Sequence, residues 1–157
     1  MGVGFIKTTF TLLGLAGGSY VGISSAMAAG LTRTTRVRSE ETPESIGLDY
    51  RDVSFTSRGG DARLSGWIIT PESGSDSPQT TARGTSWVIM VHGDNTNRSD
   101  AKTGMLGIAR ALNRRGFGIL MFDLRGRGDS PAAMSSSGYF ERLDLQGASD
   151  YLVSKGA

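Results

Sequence analysis

The pattern of apolar and polar residues changes several times along the chain, and the first distinctive stretch lies near the N-terminus. Residues 8–32 form a run of 25 positions without a charge, in which Gly, Ser and Thr interrupt the apolar residues. A helix of this length extends ~37 Å at ~1.5 Å per residue, more than the ~30 Å hydrocarbon layer of a membrane. We therefore expect residues 1–32 to be a membrane anchor or a signal segment.

Two membrane interpretations of this segment are open. An uncleaved anchor makes the protein a single-pass membrane protein. A cleaved secretory signal uses Lys7 as its basic end, residues 10–23 as its apolar stretch and an A-x-A site that ends at Ala28. We favour the anchor, because the apolar stretch is long for a signal and three arginines follow the cleavage position closely. Secretion after cleavage near Ala28 is the alternative.

The same segment contains a stripe of small residues, since Gly14, Gly18 and Gly22 recur at every fourth position. Small residues at this spacing share one helix face and allow two helices to approach closely. A segment rich in small residues also produces such spacing by chance. As a hypothesis, the stripe forms a homodimer of the anchor.

The pattern becomes polar after the anchor and then changes to that of a folded domain. Residues 33–47 are polar and charged, include Pro43 and show no periodicity, which is typical of a juxtamembrane linker. From residue 48 onward, two runs rich in β-forming residues cover 50–55 and 62–70. The glycines and the aspartate between these runs predict an antiparallel hairpin. Residues 72–85 have a loop composition.

Two later runs, 87–91 and 117–122, are apolar without alternation, which is typical of strands covered on both faces in a parallel sheet. Residues 105–112 and 141–153 have helical spacing, and the second helix places Leu145, Ala148 and Leu152 on one face. A strand, a helix, a strand and a helix in this order predict a βαβα arrangement after the hairpin. The fold class is α/β, with one domain over 48–157.

Composition excludes several classes of function. The chain has no Cys and one His, which excludes disulfides, thiolate metal sites, cysteine nucleophiles and multi-histidine metal sites. Four of the 17 basic residues and none of the 15 acidic residues lie within residues 1–38, so the remainder is slightly acidic. We therefore expect no nucleic-acid partner. No Gly-x-x-x-x-Gly-Lys-Ser/Thr phosphate loop is present.

Two polar loops follow the apolar strands, at 92–100 and 123–130. Ligand sites in parallel sheets lie at the carboxyl ends of the strands, so these loops are the candidate site. The second loop contains the integrin-type tripeptide Arg127-Gly128-Asp129, which we interpret as a coincidence.

Several motifs carry a resemblance to a known family. They are the sequence L-S-G-W at 64–67, the Val91-His92-Gly93 strand end, N-R-S-D at 97–100 and F-D-L-R-G-R-G-D-S at 122–130. In this order and spacing they resemble the N-terminal half of the α/β-hydrolase superfamily, in particular monoacylglycerol-lipase-like and serine-aminopeptidase-like hydrolases. The resemblance implies a membrane-associated serine hydrolase that cleaves an ester or amide of a lipid-like or small acyl substrate, without a cofactor; no metal site is expected.

The resemblance also assigns roles in the first loop. Acyl transfer places negative charge on the carbonyl oxygen, which fixed backbone N–H groups must stabilise. The resemblance places one such oxyanion-hole donor at the backbone N–H of Asp94, with His92 and Gly93 as loop support. Gly93 is expected to let the chain turn sharply. The Asp94 carboxylate would repel an oxyanion unless it points away.

The catalytic side chains of this family are not found in the 157 residues. Its nucleophile lies in a Gly-x-Ser-x-Gly turn, yet no serine here has glycine at both −2 and +2. We therefore expect an N-terminal fragment that is inactive as given, with no catalytic residue of its own. The alternatives are a membrane-tethered, non-enzymatic protein that pairs through an open sheet edge, or one half of a split hydrolase.

Overall fold

The computed structural model of the protein describes residues 2–71, 80–81 and 84–156. The chain divides into two compact units, Met1–Arg33 and Thr34–Ala157. The helices are α1 (Gly2–Thr32), α2 (Met105–Asn113) and α3 (Glu141–Ser154), with a short 3-10 helix at Pro43–Ile46. The strands are β1 (Arg51–Thr56), β2 (Arg63–Ile69), β3 (Thr80–Thr81), β4 (Gly84–Thr85), β5 (Trp87–Val91) and β6 (Gly118–Phe122).

The first unit is the single helix α1, which is 31 residues long. Among the described residues, no helix has both the length and the apolar character needed to cross a membrane. The N-terminal segment does form a helix, as expected. It does not qualify as the expected membrane-anchor helix, because its many Gly and Ser residues lower its mean hydropathy. A Cβ at Gly14, Gly18 or Gly22 would meet no atom within 4 Å. Dimerisation through these glycines stays a prediction.

The second unit is built on a four-stranded sheet with the order β1-β2-β6-β5. Strands β1 and β2 form the predicted antiparallel hairpin, with Ser54 opposite Ser65. Strands β5 and β6 are parallel, as predicted, and β6 also pairs with β2 in antiparallel orientation. A second antiparallel pair, β3 with β4, lies within the segment expected to be a loop. Residues 72–79 and 82–83 of that segment lie outside the described residues.

Helices cover both faces of this sheet, which explains the unbroken apolar runs. Ile119 and Met121 of β6 pack in a cluster with residues of α2, whereas Leu120 and Phe122 pack in a second cluster with Ala148 and Leu152 of α3. Successive side chains of a strand point to opposite faces, so a strand covered twice needs apolar residues at every position. Each fully buried side chain of this size contributes about 1.5–3 kcal/mol.

Helix α3 packs on the sheet in a way that its apolar pattern did not predict. Leu145, expected on the buried face, is 44% exposed, while Asp144 and Gly147 are buried. A Cβ at Gly147 would lie 2.5 Å from the carbonyl oxygen of Thr56, so glycine is what lets the helix approach β1. The expectation for Leu145 was wrong because the inner face of α3 carries a glycine and a carboxylate instead.

Candidate active site

The two predicted loops meet at one edge of the sheet. Because β5 and β6 are parallel, loop 92–100 and loop 123–130 leave the sheet on the same side. A cavity of about 320 Å³ lies between them. Its walls include His92, Gly93 and Asp94 from the first loop and Leu124, Arg125 and Arg127 from the second. The three consecutive residues that the sequence singled out, His92, Gly93 and Asp94, thus line this cavity.

His92 links the two loops from a buried position. Its Nε2 atom accepts a hydrogen bond of 3.1 Å from the backbone N–H of Leu124, and its Nδ1 atom lies 2.7 Å from the carbonyl oxygen of Gly93. Since Nε2 is an acceptor, the ring proton is on Nδ1, which donates to Gly93. Burial lowers the pKa of His92, in agreement with a neutral ring. Both nitrogens are occupied by backbone groups, so the ring braces the loops.

Asp94 presents its carboxylate to the second loop. Arg127, which is 4% exposed, donates from Nη2 to Asp94 Oδ1, and Asn95 donates to Asp94 Oδ2 at 3.1 Å. The charge of the carboxylate is therefore balanced by a guanidinium across the loops. Within the described part of the chain, no group accepts a hydrogen bond from the Asp94 backbone N–H. Asp94 is also one of the residues that line the cavity.

The turn in the first loop differs from its expectation. The residue with left-handed backbone is Asn95, at φ 54°, and Gly93 is not left-handed. A Cβ at Gly93 would meet only the Thr96 side chain, at 4.0 Å. Asn tolerates this conformation better than most residues. The sharp turn expected at Gly93 is therefore made at Asn95, while Gly93 keeps this wall of the cavity free of a side chain.

A buried ion pair holds the bases of the loops together. The Asp123 carboxylate is fully buried and accepts bonds from the backbone N–H of Arg98 at 2.7 Å, from Arg98 Nη1 at 2.8 Å and from the backbone N–H of Asp129 at 2.9 Å. Burial raises the pKa of Asp123, whereas these three donors favour its ionised form. The Arg98 guanidinium also lies 4.0 Å from the centre of the Trp67 ring.

Arg125 anchors the second loop to the elements on either side. Its side chain donates to the buried Asp144 of α3, with Nη2 at 2.8 Å, and to the half-exposed Asp61 of the hairpin turn, with Nη1 at 2.8 Å. The Arg125 backbone N–H also donates to Asp144, at 3.0 Å. The hydrogen bond from Arg125, assisted by one from Ser57, lowers the pKa of Asp61 to about 2.

The segment before α3 forms a further wall of the cavity, which sequence reasoning missed. Glu141 accepts hydrogen bonds from the Ser136 hydroxyl, from the Ser136 N–H at 2.9 Å and from the Gly138 N–H at 2.8 Å. Although partial burial acts in the opposite direction, these bonds lower the pKa of Glu141 to about 2. The available signal was an acidic residue in the first turn of a helix, preceded by Ser and Gly.

The tripeptide at 127–129 is tied into these networks. Arg127 is bound to Asp94, Gly128 is buried at φ 46°, and Asp129 accepts a bond of 2.7 Å from Arg98. Among the described residues, no group of three His, Cys, Asp or Glu side chains is arranged to hold a metal ion.

Comparison with known proteins gives matches among solved structures. No protein family model matches the chain, and no curated protein matches it. The chain is similar to the esterase Pf2001 of Pyrococcus furiosus, with 30% identity over 78% of this chain and a TM-score of 0.62. It is also similar to the α/β hydrolase GrgF of Penicillium sp. sh18, with 24% identity over 67% of this chain and a TM-score of 0.51. The matched part of the chain has the α/β-hydrolase fold.

This chain corresponds to less than half of the length of each similar structure. The chain covers 41% of the Pyrococcus esterase and 32% of GrgF. A hypothetical protein of Pseudomonas aeruginosa, PA2218, shows the same fold at 22% identity, over 76% of this chain and 36% of its own, with a TM-score of 0.52. The resemblance to α/β-hydrolases that the sequence motifs indicated is therefore confirmed at the level of the fold.

Proposed function

We propose that the chain is the N-terminal part of a serine hydrolase that cleaves esters or amides of small acyl compounds. The α/β-hydrolase fold and the 30% identity with an esterase support the reaction class. Because the chain covers 41% of that esterase, the activity of a whole enzyme is inferred from a part. In this proposal, the chain supplies one oxyanion donor and the wall of the acyl cavity, and no cofactor takes part.

The observation that carries the proposal is that Asp94 lines the cavity and that its backbone N–H has no acceptor among the described residues. An oxyanion hole needs donors that are fixed before the negative charge develops. His92 provides the fixation, since its ring connects Gly93 to the N–H of Leu124. In this proposal, an acyl oxygen bound in the cavity accepts a hydrogen bond from the Asp94 N–H.

The ion pair between Asp94 and Arg127 removes the main objection to this donor. A free carboxylate on the same residue would raise the energy of a developing oxyanion by like-charge repulsion. With Arg127 bound to Asp94 Oδ1, the net charge of the pair is close to zero. The dipole of the Asp94 backbone N–H then makes the main contribution to the local electrostatic field. Arg127 is thus a positioning residue of the proposed oxyanion hole.

The binding experiment uses an anion that imitates the charged acyl oxygen. Sodium butyrate is titrated into the ¹⁵N-labelled chain, with butyramide as a matched neutral control, and backbone amide shifts are recorded. We expect butyrate to shift the Asp94 amide saturably and more than butyramide does, because the negative oxygen accepts the stronger bond. If butyrate shifts the Arg125 and Arg127 side-chain signals but leaves the Asp94 amide in place, the oxyanion assignment is wrong.

We also propose that the chain is inactive by itself, because its sequence has no Gly-x-Ser-x-Gly turn. A fluorophosphonate probe reacts with an activated serine nucleophile, so the purified chain should remain unlabelled under conditions that label an active esterase. Stoichiometric labelling of any serine would contradict this. A split hydrolase would give labelling only on a second chain, after mixing.

A second candidate function rests on the open edge of the sheet. Among the described strands, β5 pairs with β6 and lies at the end of the strand order, and its Val91 is 41% exposed. An edge strand can pair with another chain, as a non-enzymatic interaction protein would require. Sedimentation velocity separates the candidates, because this function requires a stable dimer or complex with slow amide exchange in β5. A monomer with fast exchange there contradicts it.

Localisation also stays a prediction. Attachment to a membrane through residues 8–32 and secretion after cleavage near Ala28 give different products. Mass spectrometry of the expressed chain and carbonate extraction of membranes distinguish them: an intact chain in the pellet indicates the anchor, and a soluble chain that begins after residue 28 indicates cleavage.

A further inference from the structure

The segment that follows α1 lies across both loops of the site. We call residues 34–38 the strap. Thr34 donates from Oγ1 to the carbonyl oxygen of Ala133 at 3.1 Å, and Arg36 donates from Nε to the carbonyl oxygen of Gly128 at 3.3 Å. These bonds join residues 99 and 92 positions apart in the chain. The strap therefore belongs to the site region in space, although its composition is that of a linker.

Asn97 is the main attachment of the strap to the first loop. This side chain is 6% exposed, and its Nδ2 donates to the carbonyl oxygens of Val37 and Arg38, both at 3.1 Å. Its Oδ1 accepts from the N–H of Ser99 at 2.8 Å and from the Ser99 hydroxyl at 2.9 Å. The amide thus uses both donors toward the strap and its acceptor toward the loop.

The strap also packs closely on the second loop at Gly126. A Cβ at this position would lie 2.9 Å from Thr34 Oγ1 and 2.5 Å from the carbonyl oxygen of Ala133. Gly126 has φ 68°, a conformation in which a side chain is strained. Both loops are therefore shaped to receive the strap, one through a buried amide and one through a glycine.

We propose that the strap positions the two loops, and that Asn97 is the positioning residue through which it acts. Asn97 lies three residues after Asp94, so the strap controls the turn that carries the proposed oxyanion donor. This significance rests on the proposed function, whereas the mechanical role of the strap does not.

The test measures backbone hydrogen exchange of the full chain in three variants. Asn97→Asp keeps an oxygen for Ser99 but replaces the two donors by a carboxylate that faces two carbonyl oxygens. Thr34→Val removes the hydroxyl bond to Ala133 at a half-buried position without a change in shape. Thr35→Val is the matched control, since Thr35 is the exposed neighbour.

We expect Asn97→Asp to accelerate exchange about tenfold at 98–100, where the backbone N–H groups are hydrogen-bonded, because loss of the attachment opens the loop locally. Thr34→Val should accelerate exchange at 125–133 by about threefold, and Thr35→Val should change neither loop. Exchange in β6, at the centre of the sheet, should remain unchanged in all three variants.

Two results would overturn the proposal. In the first, exchange at 98–100 and at 125–133 stays unchanged in Asn97→Asp and Thr34→Val, which would make the strap a passive covering. In the second, Thr34→Val and Thr35→Val have equal effects. The experiment needs no acyl ligand, so its outcome is independent of the butyrate titration, and either proposal can fail while the other stands.

Discussion

Arg125 offers a direct comparison between a buried and an exposed carboxylate on the same guanidinium. Asp144 is fully buried and accepts hydrogen bonds from three donors of Arg125: the backbone N–H at 3.0 Å, Nε at 3.1 and 3.2 Å to the two oxygens, and Nη2 at 2.8 Å. Asp61 accepts from the same side chain at 2.8 and 3.3 Å, but its carboxylate is 47% exposed. The perturbation is Asp144→Asn, with Asp61→Asn as its matched control.

The magnitudes follow from what each amide can still accept. In Asp144→Asn one oxygen remains, and the new NH₂ faces N–H donors, so a buried guanidinium keeps part of its charge uncompensated. Breaking a buried pair in this way costs about 3–5 kcal/mol, out of a total stability of about 5–15 kcal/mol for a domain. In Asp61→Asn solvent replaces the lost interaction, and the cost is about 0.2–1 kcal/mol.

Urea unfolding followed by tryptophan fluorescence measures both free energies, with equal m-values as the condition for comparison. The Asp144 variant should also melt roughly 6–20 °C lower, at about 2–4 °C per kcal/mol. The reasoning is refuted if Asp61→Asn costs as much as Asp144→Asn, because burial would then not determine the strength of these pairs.

Three further predictions concern protonation and backbone shape. His92 is the one histidine of the chain, and its ring signals in NMR should titrate below 6.5, the ordinary pKa. Its folded pKa is lowered by burial, so the unfolded chain binds the proton first and the free energy of unfolding should fall as the pH drops below 6.5; a midpoint above 6.5 contradicts this. Glu141→Gln should lower the free energy of unfolding at pH 7. This difference from the unchanged chain should shrink as the pH falls from about 4.5 toward 2, because the folded pKa of Glu141 is about 2. Urea unfolding curves at several pH values measure the difference, and a pH-independent difference speaks against the prediction. Gly128→Ala should lower the free energy of unfolding by about 3 kcal/mol or more, since residue 128 has φ 46° and its Cβ would overlap the Asp123 carboxyl. Gly107→Ala, on the exposed face of α2 with open space around it, should raise the free energy of unfolding by about 0.5–1 kcal/mol. Equal stabilities of the two variants in thermal melts would refute the comparison.

The sheet and the place of the site could be predicted from the sequence because short-range patterns determine them. The run at 118–122 is apolar throughout because β6 is covered on both faces, and this alone indicated a parallel pair. His92 and Asp94 could be located because loops at strand ends meet in such a sheet. The α/β-hydrolase motifs added the expected role of the Asp94 N–H.

The interactions that shape the site could not be predicted in this way. Arg98, Arg125 and Arg127 look alike in sequence, yet each binds carboxylates of a different set of elements. No periodicity encodes which charges meet across 19 to 64 positions of chain. The burial of Asp144 was missed for the same reason, because an acidic residue on a helix is expected to face solvent.

The interlocked loops have a consequence for the order of folding. Leu124 N–H reaches His92 across 32 positions, Arg98 reaches Asp123 across 25, and Asn97 reaches the chain before β1 across about 60. Contacts so distant in sequence are made only after the intervening elements have assembled, since loop closure costs entropy first. The β2–β6 pairs of the sheet span 50 to 56 positions, a comparable or larger separation, so the sheet and the loop edge are expected to acquire their native geometry together during refolding.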